Sequence, residues 1–216
     1  MPSSDVERAL AVRYAPLDAQ PGMAALLALD ERLGAILRST REPLIGQMRL
    51  TWWHEALAAL DTASAPAEPL LQALAQHVVP SIGGAALARL VEGWEPLLEP
   101  TLDAAALDEH AGARGSRLFG AMAAVAGMEG AWIADAGRGW ALADLARHLS
   151  EPAVAAQARR LAREYLPIAT NRHWPPRARA IGALVHLARM DIMDAPRPPG
   201  HPARTARLLW HRVTGR

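Results

Sequence analysis

Pairs of carboxylates four residues apart could hold a hard metal ion, because both side chains then lie on one face of a helix. Glu95 and Glu99 have this spacing, but Pro96 lies between them, and an exposed polar face is their expected role. Asp191 and Asp194 are three residues apart near a predicted helix end, where solvation or capping explains them. Neither pair predicts a metal site.

Other motifs of enzyme chemistry are incomplete. His54 and Glu55 begin the zinc-binding HExxH pattern, but the second histidine is missing. Arg114 and Arg117 flank Gly115 at a predicted helix start, which is a place where anions bind; the alternative is that both arginines are solvated. No P-loop or dinucleotide-binding pattern is present. The absence of cysteine excludes disulfides, thiol catalysis and cysteine-bound metals.

The most informative stretch of the chain is REPLIGQMRLTWWHEAL, residues 41–57. Pro43 suits the first turn of a helix, where a missing N–H costs little. One apolar side is predicted for Ile45, Met48, Trp52, Ala56 and Ala59, widened by Leu50, Trp53, Leu57 and Leu60. The pattern alone predicts a core helix in which Arg49 stacks on one of the two indoles.

The elements that must position these residues are predicted to be helices. Alanine and leucine dominate a composition that is 51% hydrophobic but only 5% aromatic, which favours an all-α fold. A length of 216 residues suits a single domain, 1–216, with a peripheral C-terminal helix over 203–216. The predicted helices span 4–13, 23–38, 43–61, 68–78, 84–98, 103–110, 114–136, 139–149, 151–168, 176–194 and 203–216. In the 114–136 helix, Gly120, Gly127 and Gly130 are expected to permit close helix approach.

Charge and hydropathy indicate a cytoplasmic location. The net charge of +1 gives no general attraction to nucleic acid, and we expect no nucleic-acid partner. All 23 basic residues are arginine, which is typical of a GC-rich bacterial genome. The longest apolar run, 118–128, is too short to cross a bilayer, and no targeting segment is visible.

The C-terminal stretch 203–216 combines apolar and basic residues. It contains Leu208, Leu209, Trp210 and Val213 beside Arg204, Arg207 and Arg212. This pattern favours a terminal helix docked on the body of the protein. The alternative is peripheral contact with a membrane surface, which for a bacterial protein would be the inner membrane.

The tryptophan segment resembles the REP…G…RL.WW..AL segment of the squalene/phytoene synthase family. GWALADLARHL, residues 139–149, is similar to a stretch in members of the branch that contains mitochondrial complex I assembly factors and their alphaproteobacterial relatives. The resemblance extends over most of the chain, from Arg13 to about Asp194. It implies an isoprenoid-synthase-like helical bundle around a central cavity.

Active members of that family carry two DxxxD motifs on facing helices, which hold the Mg²⁺ ions that ionise a prenyl diphosphate. In this sequence the first pair of aspartate positions falls on Gly34 and Arg38, within LLALDERLGAILRST. The second pair falls on His148 and Pro152, within ALADLARHLSEP. A lone histidine is a poor ligand for Mg²⁺, so the resemblance implies that no metal cofactor is bound.

The resemblance therefore implies a protein that has the family's fold but does not catalyse its reaction. Its function would be binding of an isoprenoid or lipid, binding of a protein partner, or respiratory complex assembly. The alternative is an active transferase that condenses two prenyl diphosphates in squalene, phytoene or hopanoid-related biosynthesis, for which Mg²⁺ would be expected. The residues expected on or near the cavity are Arg49, Trp52, Trp53, Asp144, Arg147 and His148.

Overall fold

The computed structural model describes residues 3–40, 42–99 and 101–216, with side chains described from Val6 onward. Over these ranges the chain contains helices and no β-strand, which confirms the all-α prediction. The helices are α1 (Ser3–Val12), α2 (Gln20–Ser39), α3 (Pro43–Ala58), α4 (Pro69–His77), α5 (Val79–Ile82), α6 (Gly84–Glu92), α7 (Ala104–His110), α8 (Arg117–Val125), α9 (Ala131–His148), α10 (Pro152–Asn171), α11 (Arg179–Asp191) and α12 (Pro202–Thr214).

Short irregular helices join several of these elements. Segments of 3₁₀-helix cover Ala59–Asp61, Glu95–Leu98 and Pro176–Ala178. One turn of π-helix, Ala111–Ser116, connects α7 to α8. Such π turns are rare, and they often occur at functional sites.

Helix α9 lies at the centre of the bundle. It packs against α8, α10, α11 and the π-helical turn, and most of its residues after Ala136 are buried. Helix α2 packs against α4 and α8, while α3 packs mainly against α6. Helix α9 ends at His148, since Leu149 has extended backbone, and α10 begins at Pro152, a residue that suits the first position of a helix.

The apolar face of α3 differs from the predicted one. Its buried side contains Gly46, Leu50, Trp53 and Leu57, whereas Ile45, Met48 and Trp52 are exposed. Arg49 donates to the hydroxyl of Thr40, and the guanidinium near an indole is that of Arg32, 5.7 Å from the Trp53 ring. The helix is apolar on both sides, so periodicity alone did not identify the side that faces the core. Arg41, the first residue of the tryptophan segment, lies outside the described residues.

Helix α9 begins earlier than predicted and contains two glycines in its interior. The sequence predicts a helix start at residue 139, but Gly137 and Gly139 both lie inside α9. A Cβ atom at Gly137 would collide with the backbone of Gly115 and Ser116, so glycine at this position permits a backbone-to-backbone crossing with the π-helical turn. The predicted helix over 114–136 is instead divided at residues 126–130, where Gly127 has a φ of 65°.

Helix α12 docks on α11 through a buried face. Arg204, Leu208 and His211 are buried in this contact. Arg204 forms a bidentate ion pair with Glu7 of α1 and also pairs with Asp191 of α11. Among the described residues, no helix is both long enough and apolar enough to cross a membrane.

Candidate functional site

The candidate site lies where α2, α9 and the π-helical turn meet. Helix α2 presents Asp30, Gly34 and Arg38, and α9 presents Asp144 and His148. Within each helix these residues are four apart and therefore lie on one face. The π-helical turn adds Arg114 from the third side.

Arg114 is buried, and it joins the two helices. Its Nε and Nη2 atoms donate to the two carboxylate oxygens of Asp30, at 2.7 and 2.8 Å. The same Nη2 donates to Oδ2 of Asp144 at 2.7 Å. The guanidinium carbon also lies 4.2 Å from the ring centroid of Trp94 and 4.8 Å from that of Trp140. A planar guanidinium suits this combination of bidentate pairing and stacking better than an ammonium group would.

Further ion pairs extend this network toward the surface. Arg8 of α1 donates to Asp144 at 3.3 Å and to Glu31 at 3.1 Å. Glu31 also forms an ion pair with Arg38. The three carboxylates and three arginines of the network balance in charge, so the protein itself neutralises the acidic groups of the site.

The network sets the ionisation of its buried groups. Burial opposes the charge on Asp144, but Arg114 and Arg8 hold the pKa of that carboxyl below its usual range. Burial also lowers the pKa of His110 to about 3, assisted by the positive charge of Arg114. His110 is therefore neutral at physiological pH, and its Nδ1 lies 2.6 Å from the carbonyl oxygen of Gly93.

A cavity of about 200 Å³ opens beside this network, between α2 and α9. Its inner polar wall is formed by Arg114 and Asp144, whereas Arg38 and His148 are each 44% exposed and lie at the rim. The remaining lining residues are Gly34, Leu37, Trp94, Leu97, Leu102, Leu145 and Leu149. Most of the wall is therefore apolar, and the charged groups lie at its inner end and at its rim.

Trp94 occupies the space next to Gly34. A Cβ atom built on Gly34 would lie 2.9 Å from the indole ring and 2.8 Å from Nη1 of Arg38. The indole is nearly buried and packs against His110 and Arg114. A side chain at position 34 would therefore require Trp94 to move.

A comparison with protein families agrees with this architecture. The model of the squalene/phytoene synthase family matches residues 1–174. The chain belongs to the squalene/phytoene synthase family. No curated protein and no solved structure matches the chain. Membership of the branch with complex I assembly factors stays a prediction.

In this squalene/phytoene synthase family member, the donor set of the site does not fit Mg²⁺. Gly34, Arg38, His148 and Pro152, the positions at which the sequence resemblance predicts the motif aspartates, supply no carboxylate. The nearby carboxylate of Asp30 is already engaged by a guanidinium. Within the described residues, no group of three or more His, Asp or Glu side chains could hold a metal ion.

The structure places the six residues predicted from sequence in three different environments. Asp144 and His148 line the cavity. Arg147 points to the neighbouring side of α9, where it pairs with Asp191 at 3.1 Å. The residues of α3 do not line the cavity: Trp53 is buried, whereas Arg49 and Trp52 are exposed. A ligand-binding role for any of the six stays a prediction.

The central residue of the site was not identified from sequence. Arg114 was expected to bind an anion or to be solvated, and both interpretations are wrong, because it is 3% exposed and paired with two carboxylates. Asp30, Arg114 and Asp144 lie far apart in the sequence, so no local spacing connects them. The only local signal was an arginine within a run of small residues, AGARGS. Arg117 is partly exposed and pairs with Glu92.

Proposed function

We propose that this squalene/phytoene synthase family member binds one isoprenoid or lipid chain between α2 and α9, without condensing prenyl diphosphates. The observation that carries this proposal is an apolar cavity whose single acidic lining residue, Asp144, is already paired with Arg114. Such a site offers an apolar chain a favourable environment. It has no unpaired carboxylate with which to recruit a divalent metal.

The size of the cavity supports one chain rather than two. Its volume of about 200 Å³ is below the ~300 Å³ at which pockets for whole small molecules usually begin. A condensation between two prenyl diphosphates needs room for two long chains side by side. One chain could place its end in the cavity while the rest of the molecule extends past the rim.

The rim suits the polar end of such a ligand. Arg38 and His148 are both half-exposed there, and both can donate hydrogen bonds to an oxygen-rich head group. The apolar tail would then contact the leucines and Trp94. We therefore propose an amphipathic ligand, with an isoprenoid or acyl tail and a polar or anionic head.

The other functions predicted from the sequence receive less support. An active transferase would have to neutralise diphosphate charge without the metal, using Arg38 and Arg147, whose positive charges Glu31 and Asp191 already balance. A hydrogen bond to a head group asks less of Arg38, because Glu31 pairs with its Nη2 and the other N–H groups keep their donors. Protein-partner binding and respiratory complex assembly remain predictions. The exposed apolar side of α3, with Leu44, Met48 and Trp52, is a surface that would suit a protein partner.

The first experiment measures catalysis directly. Purified protein is incubated with farnesyl or geranylgeranyl diphosphate and Mg²⁺, and the extract is analysed for squalene, phytoene and released diphosphate. We expect no product above the level of a boiled control. Turnover that is abolished by Arg38→Ala and retained by the surface variant Arg89→Ala would overturn the non-catalytic part of the proposal.

The second experiment measures ligand binding. Protein purified from cells is extracted and analysed by mass spectrometry for co-purifying isoprenoids and lipids, and recovered compounds are titrated back. Leu102→Trp fills the cavity, while Leu70→Trp enlarges a partly buried leucine of α4 that does not line it. We expect the first variant to lose the ligand and the second to keep it. Equal ligand recovery from both variants would place the ligand elsewhere.

A further inference from the structure

The outward face of α12 is apolar, although the helix is already docked on the protein. Leu209, Trp210 and Val213 are 51%, 60% and 77% exposed. At 100° per residue these three side chains form one stripe, and it points directly away from the buried face of the helix. Exposed apolar stripes that include tryptophan are typical of surfaces that bind a partner or a membrane.

The docking of α12 fixes the direction of this stripe. Arg204 is 2% exposed and is held by Glu7 from α1 and Asp191 from α11. Turning the stripe inward would break both ion pairs and expose Leu208, which is fully buried. The stripe therefore stays on the surface while the helix is docked.

Positive charge lies on both sides of the stripe. Arg212 lies on one side and Arg207 on the other, and Arg216 follows the end of the helix. Nη2 of Arg207 lies 2.9 Å from Nδ1 of the buried His186, whereas Arg212, 5.4 Å from the Tyr14 ring, and Arg216 are exposed. Helix α12 contains no acidic residue, and the nearby Arg179 of α11 donates to the carbonyl oxygen of Arg212. No carboxylate in the described part of the chain forms an ion pair with any of these four arginines.

We infer that the outward face of α12 binds a lipid bilayer that carries anionic head groups. The stripe would enter the boundary between head groups and acyl chains, and the exposed Arg212 and Arg216 would contact the anionic heads. The contact would be peripheral, since no described helix can cross a membrane. Helix α12 lies outside the residues matched by the family, 1–174, and the inference is independent of the cavity.

The distribution of charge favours a bilayer over a second copy of the chain. Two copies meeting through this stripe would bring together two helices that each carry arginines and no acidic residue, and like charges would oppose the contact. A planar anionic surface instead attracts the exposed Arg212 and Arg216.

Vesicle flotation with the full chain tests this inference. The vesicles are phosphatidylcholine alone or phosphatidylcholine with roughly one third phosphatidylglycerol. We expect flotation with the anionic vesicles only, and less of it at high ionic strength. The double variant Trp210→Ser/Val213→Ser should lose flotation. Arg212→Gln/Arg216→Gln should reduce the partition coefficient by roughly tenfold or more, since each arginine near such a surface contributes a several-fold factor.

A matched variant controls for the general loss of exposed apolar groups. Met48→Ser/Trp52→Ser removes two exposed side chains from α3 and should float as the unmodified protein does. Circular dichroism and thermal unfolding confirm that each variant is folded. The inference is overturned if the unmodified protein does not float with anionic vesicles, or if both double serine variants lose flotation equally. It is also overturned if light scattering shows a dimer that only the α12 variants dissociate.

Discussion

At the scale of single residues, Arg114 acts as an internal counterion. It places one positive charge between Asp30 and Asp144, at the point where α2 and α9 face each other. Burying three charges together costs desolvation, and the direct hydrogen bonds and the indoles of Trp94 and Trp140 offset that cost. Asp30, Arg114 and Asp144 therefore form a charged triad, and the stability of the site depends on the presence of all three side chains.

Replacing Arg114 by methionine should be strongly destabilising. Arg114→Met leaves Asp30 buried without a partner and Asp144 paired with Arg8 alone. Removing one partner of a buried ion pair typically costs about 3–5 kcal/mol in the free energy of unfolding. Urea unfolding measures this difference. The triple variant Asp30→Asn/Arg114→Met/Asp144→Asn removes the unpaired charges and should recover much of the loss. If Arg114→Met reduced the free energy of unfolding by less than about 1 kcal/mol, the triad would not be important for stability.

His110 should make stability depend on pH. Its pKa is about 3 in the folded protein and near 6.5 when unfolded, so below pH 6.5 the unfolded state binds the additional proton. The stabilising contribution is complete above pH 6.5 and decreases by about 1.4 kcal/mol per pH unit as the pH falls toward 3. His110→Asn keeps a donor for the Gly93 carbonyl and does not titrate.

Urea unfolding between about pH 4.5 and 6 checks this dependence. The slope of unfolding free energy against pH should be smaller for His110→Asn than for the unmodified protein by about 1.4 kcal/mol per unit. Some slope will remain, because burial also lowers the pKa of His186 to about 3 and that of His211 to about 4. Parallel slopes for the two proteins would contradict the prediction.

At the scale of elements, the crossing of α9 with the π-helical turn depends on two glycines. Gly137 and Gly115 bring two backbones into contact, and neither backbone can move aside as a flexible side chain could. This crossing holds Arg114 in position, since Arg114 directly precedes Gly115. From the sequence, Gly115 was considered as part of an anion site and not as part of a helix crossing. No sequence pattern connects residues 115 and 137, so their contact could not be predicted.

An alanine scan of helical glycines tests this crossing. Gly137→Ala should reduce the free energy of unfolding by about 3 kcal/mol or more, since its Cβ atom would overlap backbone. Gly120→Ala is the matched control, because nothing lies within 4 Å of its added Cβ atom. It should stabilise α8 by roughly 0.5–1 kcal/mol through helix propensity. Thermal unfolding of the two variants measures both effects. Equal changes in stability would contradict the close backbone contact at Gly137.

The sequence of α3 predicts a helix but does not predict which side of the helix faces the core. Trp52 and Trp53 are adjacent in sequence, yet only Trp53 is buried, and their rings meet edge to face at 5.3 Å. Both sides of α3 are apolar, and packing against α6 determines which side is buried. The periodicity of the α3 sequence carries no information about that packing.

The two tryptophans should differ in their contribution to stability. Trp53→Ala should reduce the free energy of unfolding by about 3–5 kcal/mol, as is usual for a buried tryptophan. Trp52→Ala should cost about 1 kcal/mol, mainly through the lost aromatic contact. Denaturant unfolding measures both values. A larger cost for Trp52→Ala would support the core face predicted from sequence over the observed one.

At the scale of the whole molecule, composition was sufficient to predict the all-α class, and the tryptophan segment was sufficient to predict the family. Asp144 and His148, two of the residues expected on or near a cavity, line the one between α2 and α9, and their role in binding stays a prediction. The sequence did not predict Arg114, Trp94 or Arg8. Their positions depend on how distant helices pack, and that information is not contained in the spacing of any one segment.

Stability of the whole chain should be independent of Mg²⁺. A metal that binds only the folded state stabilises it by about 2.7 kcal/mol at a hundredfold excess over its dissociation constant. Since the carboxylates of the network are already paired with arginines, we expect the same unfolding midpoint in excess EDTA and in millimolar Mg²⁺. Differential scanning calorimetry measures both. A rise equivalent to more than about 1 kcal/mol with Mg²⁺ would indicate a metal site after all.

The contact between Gly34 and Trp94 has a consequence for how this chain can evolve. Every glycine codon becomes an aspartate or a glutamate codon through a single base change, so mutation can reach an acidic residue at position 34 in one step. The indole stands 2.9 Å from where its Cβ atom would be, so the folded protein resists that step. An acidic side chain at this position would first require a smaller residue at 94, which would remove one of the rings stacked on Arg114. The order of substitutions is thus constrained by packing, and the acquisition of a carboxylate at position 34 would have to pass through a less stable intermediate sequence.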